Sequence, residues 1–140
     1  MKKVILSIAV VIVTVIAVFM LTRLENDDLG EIQFVLIDRN DTVVIDDTLS
    51  FTEEDDLVSL LQEHYTVVCA NTSYKPTTRC ETHFANGRIV LGVDEVITDW
   101  RNHYIGIYIN DTYSNVGVDG IALKDGDTIT FEEIMIGADD

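Results

Sequence analysis

Alternation of apolar and polar positions organises most of this chain. In "EIQFVLID", Ile32, Phe34 and Leu36 alternate against Gln33, Val35 and Ile37. This predicts a strand buried mainly on one face and largely apolar on both. "RND" makes a tight turn and "TVVIDDTLSF" returns as a second strand, which together read as a hairpin. The period then changes. "TEEDDLVSLLQEHY" places Leu57, Leu60, Leu61 and His64 at helical spacing, which predicts a helix with Thr52 as its N-cap. Glu53, Glu54, Asp55 and Asp56 would occupy the first turn, where negative charge meets the positive end of the helix dipole. That quartet reads as a solvated helix start in preference to a metal site.

Beyond the helix, "YTVVCA" reads as a strand and "RCETHFANG" as an edge strand ending in the Asn86-Gly87 hairpin signal. "RIVLGVDEVI" reads as one further apolar strand with an irregular end. In "YIGIYINDTYSNVGVDGIALKDGDTITF", Tyr104, Gly106, Tyr108 and Asn110 share one face of a strand. Ile105, Ile107 and Ile109 share the other, the better core face. Asp125-Gly126 turns the chain, and Ile129, Phe131 and Ile134 resume a final strand. The order β-β-α-β-(β)-β-β-β predicts an α+β domain with one helix crossing a mixed sheet.

A different pattern precedes this domain. Lys2 and Lys3 are followed by Val4 to Thr22, a run of 22 − 4 + 1 = 19 residues without a charge. At 1.5 Å per residue a helix of this length spans roughly 28 Å, close to the hydrocarbon core of a bilayer. The lysines predict a cytoplasmic N-terminus with the remainder outside. The run exceeds a typical signal-peptide core and ends in "AVFMLTRLE", without a small-x-small site. A retained signal-anchor is therefore expected over a cleaved leader. The expected layout is a transmembrane helix in residues 1–24, an acidic tether in 25–30, the folded domain in 31–136 and a frayed tail in 137–140. The expected location is the cell membrane, single-pass, with the C-terminal domain extracellular.

Charge narrows the partners. Residues 25–140 carry all 25 acidic residues and six of the nine basic ones, a balance of 6 − 25 = −19. Nucleic acid is not expected, because phosphate binding needs a basic face. Solubility at a crowded surface accounts for the charge more simply than a divalent-cation sink. Cys69 and Cys80 bracket "ANTSYKPTTR", and an oxidising exterior permits a disulfide between them. A metal pair lacks further ligands nearby, and neither His64 nor His83 carries a local catalytic signature with them.

The candidate binding residues are aromatic. Tyr104, Tyr108 and Tyr113 could share a face, with Trp100 and His103 near its end and Asn110 at its turn. Rigid aromatics with polar tips suit a binding surface; cross-strand packing is the structural alternative. Gly117 suggests a bend or a close backbone approach. Asp119, Asp125, Gly126 and Asp127 read as turn chemistry, since no calcium loop with a distal glutamate accompanies them. The three Asn-x-Ser/Thr triplets, at Asn40, Asn71 and Asn110, are read the same way. No metal site and no cofactor is expected. No nucleophile elbow, phosphate loop or zinc signature is readable, so an enzyme is not expected.

"GRIVLGVDEVITDW" and the stretch from Tyr104 to Phe131 carry a family likeness. Gly87, Val93, Asp94, Asp99, Tyr104, Tyr108, Ile109, Asn110, Tyr113, Gly117, Val118, Asp119, Asp125, Gly126 and Asp127 fall in its pattern. The chain resembles the bacterial extracytoplasmic domains of unknown function related to the C-terminal domain of transcobalamin. It departs where that family has Trp after the first Tyr, here Ile105, and at Glu95 and Asn110-Asp111. The resemblance implies a β-grasp-like α+β fold and small-molecule binding, with a corrinoid or similar ring-shaped nutrient as the ligand it suggests. Two functions remain: a membrane-tethered small-molecule binding module, and a cell-surface interaction module that holds a transporter component, adhesin or envelope protein. A continuous aromatic pocket would favour the first and a flat exposed strand edge the second.

Overall fold

A computed structural model describes residues 28–137. The signal-anchor expectation and residues 138–140 of the tail lie outside them. Among the described residues, no helix is long and apolar enough to cross a membrane.

The opening hairpin is β1 (Gly30–Ile37) and β2 (Val43–Phe51), paired antiparallel. Ile32, Phe34 and Leu36 are fully buried, the face that alternation picked out. The turn between them is built by Asp38, whose Oδ1 accepts the amides of Asn40 and Thr42 at 2.9 Å each.

The helix, α1 (Leu57–His64), starts four residues later than Thr52 would set it. Asp56 is the N-cap: its Oδ1 accepts the Ser59 amide at 2.9 Å, and Ser59 Oγ accepts the Asp56 amide at 3.0 Å. This reciprocal capping box outcompetes the earlier start. Thr52 instead donates its amide and hydroxyl to Asp55 Oδ2 in a separate turn. The acidic quartet therefore precedes the helix, with Asp56 alone at its end. Leu57, Val58, Leu60 and Leu61 are buried, and His64 is exposed.

After α1 come β3 (Val67–Ala70), β4 (Pro76–Thr77), β5 (Val90–Val93), β6 (Val96–Ile97), β7 (His103–Ile109), β8 (Thr112–Tyr113), a 3-10 turn at Val118–Gly120, and β9 (Thr128–Met135). Among the described residues the fold is α+β with one α-helix, but the strands separate into two sheets. One runs β2-β1-β9-β7-β8, with β1 and β9 parallel; the other runs β4-β3-β5-β6. The expected single sheet is corrected by β3 and β5, which are buried on both faces. Val67 and Cys69 join the main core beneath the first sheet and α1, whereas Val68, Ala70 and Leu91 form a second cluster with Phe84 and Ile89. A strand with two apolar faces needs a layer on each side.

Two further expectations change. "RIVLGVDEVI" is a hairpin, with Asp94 at φ +49 between β5 and β6. Asp94 Oδ1 accepts the Thr66 amide at 2.8 Å, which supports that conformation. Gly92 lets β6 approach, since a Cβ there would run into the Val96 carbonyl. "RCETHFANG" supplies no edge strand: Phe84 and Gly87 bridge each other around a tight turn, and the edge is β4, led by Pro76.

Candidate ligand cleft between the sheets

Between β5 and β7 a cleft of about 490 Å³ opens. Ile105 and Ile107 of β7 form part of its wall, with Val90, Val118 and the loop from Phe84 to Ile89. Gly117 permits this closeness: a Cβ there would stand 2.9 Å from the Asn86 carbonyl.

Two loops add large aromatics to the cleft, and they are built alike. In one, Asn71 Oδ1 accepts the amides of Ser73 and Lys75 at 2.9 and 3.0 Å. Tyr74 sits there at φ +57 and stacks on Phe84, ring centroids 5.0 Å apart. In the other, Asp99 Oδ1 accepts the amides of Arg101, Asn102 and His103, and Oδ2 accepts Asn102 Nδ2 at 2.7 Å. Trp100 sits there at φ +62. The amide bonds, that of Asn102 foremost, hold the Asp99 carboxyl well below its usual range. A left-handed backbone is unusual for bulky residues, yet both aromatics adopt it and both line this cleft. The Cys69–Cys80 disulfide, Cα atoms 5.3 Å apart, ties together the ends of the Tyr74 loop.

Arg88 is the one charged residue among the described residues lining the cleft, and its guanidinium is paired with two carboxylates. Its amide, Nε and Nη2 donate to Asp119, and Nη2 also lies 2.8 Å from Asp56 Oδ1. Burial by itself would raise the Asp119 carboxyl; the Arg88 hydrogen bonds and charge outweigh that and lower it. At Asp56 burial again raises and is outweighed, by the Ser59 amide first and then by Arg88, so its carboxyl too is lowered. The Arg88 guanidinium, which burial would lower, is raised by its two carboxylates.

The structure separates the candidate residues named from the sequence. Trp100, Tyr104 and Gly117 line the cleft. Alternation puts Tyr104 and Tyr108 on the outer face of the large sheet, where Tyr108 meets Tyr113 edge-on, centroids 5.5 Å apart. Burial and then the Glu132 charge raise the Tyr108 hydroxyl. His103 opens β7 opposite Met135. Asn110 and Asp111 form the β7–β8 turn at φ +48 and +64. The Asn110 side chain donates to Asp127 Oδ1 at 2.8 Å and accepts the Thr128 amide at 2.9 Å. Asp125 Oδ1 accepts the Glu31 amide at 2.9 Å, and Gly126 turns at φ +84. Asp119 is less a turn residue than the anchor for Arg88. The cleft adds Tyr74, Phe84, Arg88 and Ile105 to the candidates that the sequence pattern marks. The bracketing of Tyr74 by two cysteines and an asparagine was the available signal. Among the described residues, no three His, Cys, Asp or Glu side chains are grouped to hold a metal.

The sequence profile of the domain of unknown function DUF4430 matches residues 57–133, more than half of the chain. The chain belongs to the DUF4430 family. The matched segment runs from α1 into β9 and includes every residue of the cleft. This DUF4430 fold is similar to a candidate metal-binding protein from Ruminococcus gnavus, with a TM-score of 0.54 and 15% identity over 76% of this chain and 97% of that one. It is also similar to haptocorrin, a transcobalamin-family protein solved in complex with Cbi (cobinamide). There the TM-score is 0.51 and the identity 7%, over 76% of this chain and 25% of haptocorrin. The DUF4430 chain thus spans a quarter of haptocorrin's length. At these identities both are likenesses of fold. No curated protein matches the sequence.

Proposed function

We propose that this DUF4430 protein is a membrane-tethered, extracytoplasmic module that binds a ring-shaped nutrient of corrinoid kind in the Trp100–Tyr74 cleft, without catalysis. The observation that carries this is the cleft itself. Its 490 Å³ falls within the roughly 300–1,000 Å³ of small-molecule sites, and apolar and aromatic residues dominate its wall. The likeness to haptocorrin supports the ligand class, a β-grasp-like arrangement of α1 on the large sheet is in keeping with it, and the apolar run Val4 to Thr22 supports the tether. A second hollow, beside Asp28, Thr52, Glu53 and Glu54, is walled mainly by acidic and polar groups and suits such a ligand less.

A surface-interaction role would use the outer edge of the large sheet, β2. That edge displays Val43 and Val44 but also exposed Asp46 and Asp47, and edge charges oppose strand addition. The binding reading is therefore preferred.

The test is equilibrium dialysis of cobinamide against the full chain in phosphatidylcholine nanodiscs, with empty nanodiscs as blank. Saturable retention by the wild type is expected. Trp100→Ala, with an unchanged circular dichroism spectrum, should bind about 5-fold more weakly, from about 1 kcal/mol of lost ring contact. Absence of retention, or equal retention by the folded variant, would remove the cleft from consideration.

A further inference from the structure

We infer that the cleft selects a flat, positively charged ring system and rejects an anion of the same shape. This rests on the reading of the cleft as a small-molecule site and adds what its chemistry asks of the ligand.

The first support is the pair of aromatics. Tyr74 is 65% exposed and Trp100 48% exposed, so both rings have surface to offer. Both are carried on left-handed backbone fixed by side-chain-to-amide bonds from Asn71 and Asp99. A backbone fixed before the ligand arrives loses little freedom on binding. Their π faces are electron-rich and attract cations within about 6 Å, Trp most strongly.

The second support is charge. Arg88 could have received an anion, but Asp119 and Asp56 already occupy its guanidinium. The three side chains together carry one net negative charge. Around them, residues 25–140 have 25 acidic against six basic side chains. An entering anion meets a negative field with no uncommitted cation in the described wall of the cleft, whereas a cation meets the same field and two π faces. Field and contact chemistry therefore select the same sign.

The experiment uses three forms of one ring: 9-aminoacridine as cation, acridine as neutral form and acridine-9-carboxylate as anion. Each is titrated at pH 8 against the full chain in phosphatidylcholine nanodiscs, with empty nanodiscs subtracted. At low salt the cation should bind about ten-fold or more tightly than the anion, with acridine between them. The gap should narrow at about 1 M salt, where the screening length falls to about 3 Å. Tyr74→Leu, an exposed position that keeps apolar bulk, should weaken the cation by roughly 2–5-fold and acridine less. Equal binding of cation and anion, or an equal effect of Tyr74→Leu on both forms, overturns the charge selection and leaves the small-molecule site standing. Failure of all three rings where cobinamide binds overturns this inference alone; failure of cobinamide as well overturns both.

Discussion

Asp119 holds Arg88 at two points, accepting its backbone amide and its guanidinium, and the same guanidinium reaches on to the helix cap Asp56. One cation thus ties the 3-10 turn of Val118–Gly120, the loop before β5 and the start of α1. Its side chain is only 10% exposed, so these bonds are shielded from water and each partner depends on the others.

Asp119→Asn is expected to lower stability at pH 7 by about 1–3 kcal/mol through loss of charge-assisted bonds. The pH dependence has a definite sign. The folded carboxyl is lowered, so below about pH 3.9 the unfolded chain takes up its proton first. The contribution is present above that pH and is lost as pH falls through the folded value. Urea denaturation from pH 7 downward should show a shallower acid decline for Asp119→Asn than for the wild type. Parallel declines would remove Asp119 from the account.

Removing the disulfide with Cys69→Ala, Cys80→Ala should cost about 3 kcal/mol, from the entropy of an unclosed loop. The same loop carries Tyr74, so proteolysis of the double variant should begin between residues 70 and 79. First cleavage elsewhere would show that the Asn71 bonds alone hold the loop.

Gly92→Ala places a methyl against the Val96 carbonyl, and backbone cannot yield as a side-chain tip can. A loss of about 1–3 kcal/mol is expected, together with faster exchange of the Thr98 amide, which donates to the Leu91 carbonyl at 2.8 Å. An unchanged melting temperature would mean that β6 can shift without cost.

Trp100 is the only tryptophan in the chain, so intrinsic fluorescence reports on the cleft. With its ring half exposed in a negative field, caesium should quench it more effectively than iodide, and added salt should bring the two together. Equal quenching at low salt would indicate a neutral surround.

Tyr113→Ala removes one ring of the outer-face pair with Tyr108. It should cost about 0.5–1.5 kcal/mol of stability and leave cobinamide retention unchanged. Lost retention would move the site from the cleft to the outer tyrosine face.

Much of this molecule was written locally in the sequence. The β1–β2 hairpin, the helix, the turns at Asn110-Asp111 and Asp125-Gly126 and the nearness of Cys69 to Cys80 follow from short-range periodicity, turn chemistry and spacing. These preferences act within a few residues and need no knowledge of the rest of the chain. The helix start was misplaced by four residues because Thr52 and Asp56 are both able caps, and the reciprocal bonds of Ser59 decide between them.

The tertiary structure decided what depends on layers and on distant partners. The apolar run Val67–Ala70 shows that a strand is buried, but only packing divides Val67 and Cys69 from Val68 and Ala70 and so makes two sheets. Arg88 and Asp119 stand 31 positions apart, and no local pattern marks two residues as partners at that range. The tyrosine alternation in β7 was legible, but which face borders the cleft was not. The cleft exists because the second sheet lies against the isoleucine side, where Ile105 and Ile107 reach it, leaving Tyr108 and Tyr113 on the outer face. Side-chain period is a property of the strand; what covers each face is a property of the whole chain.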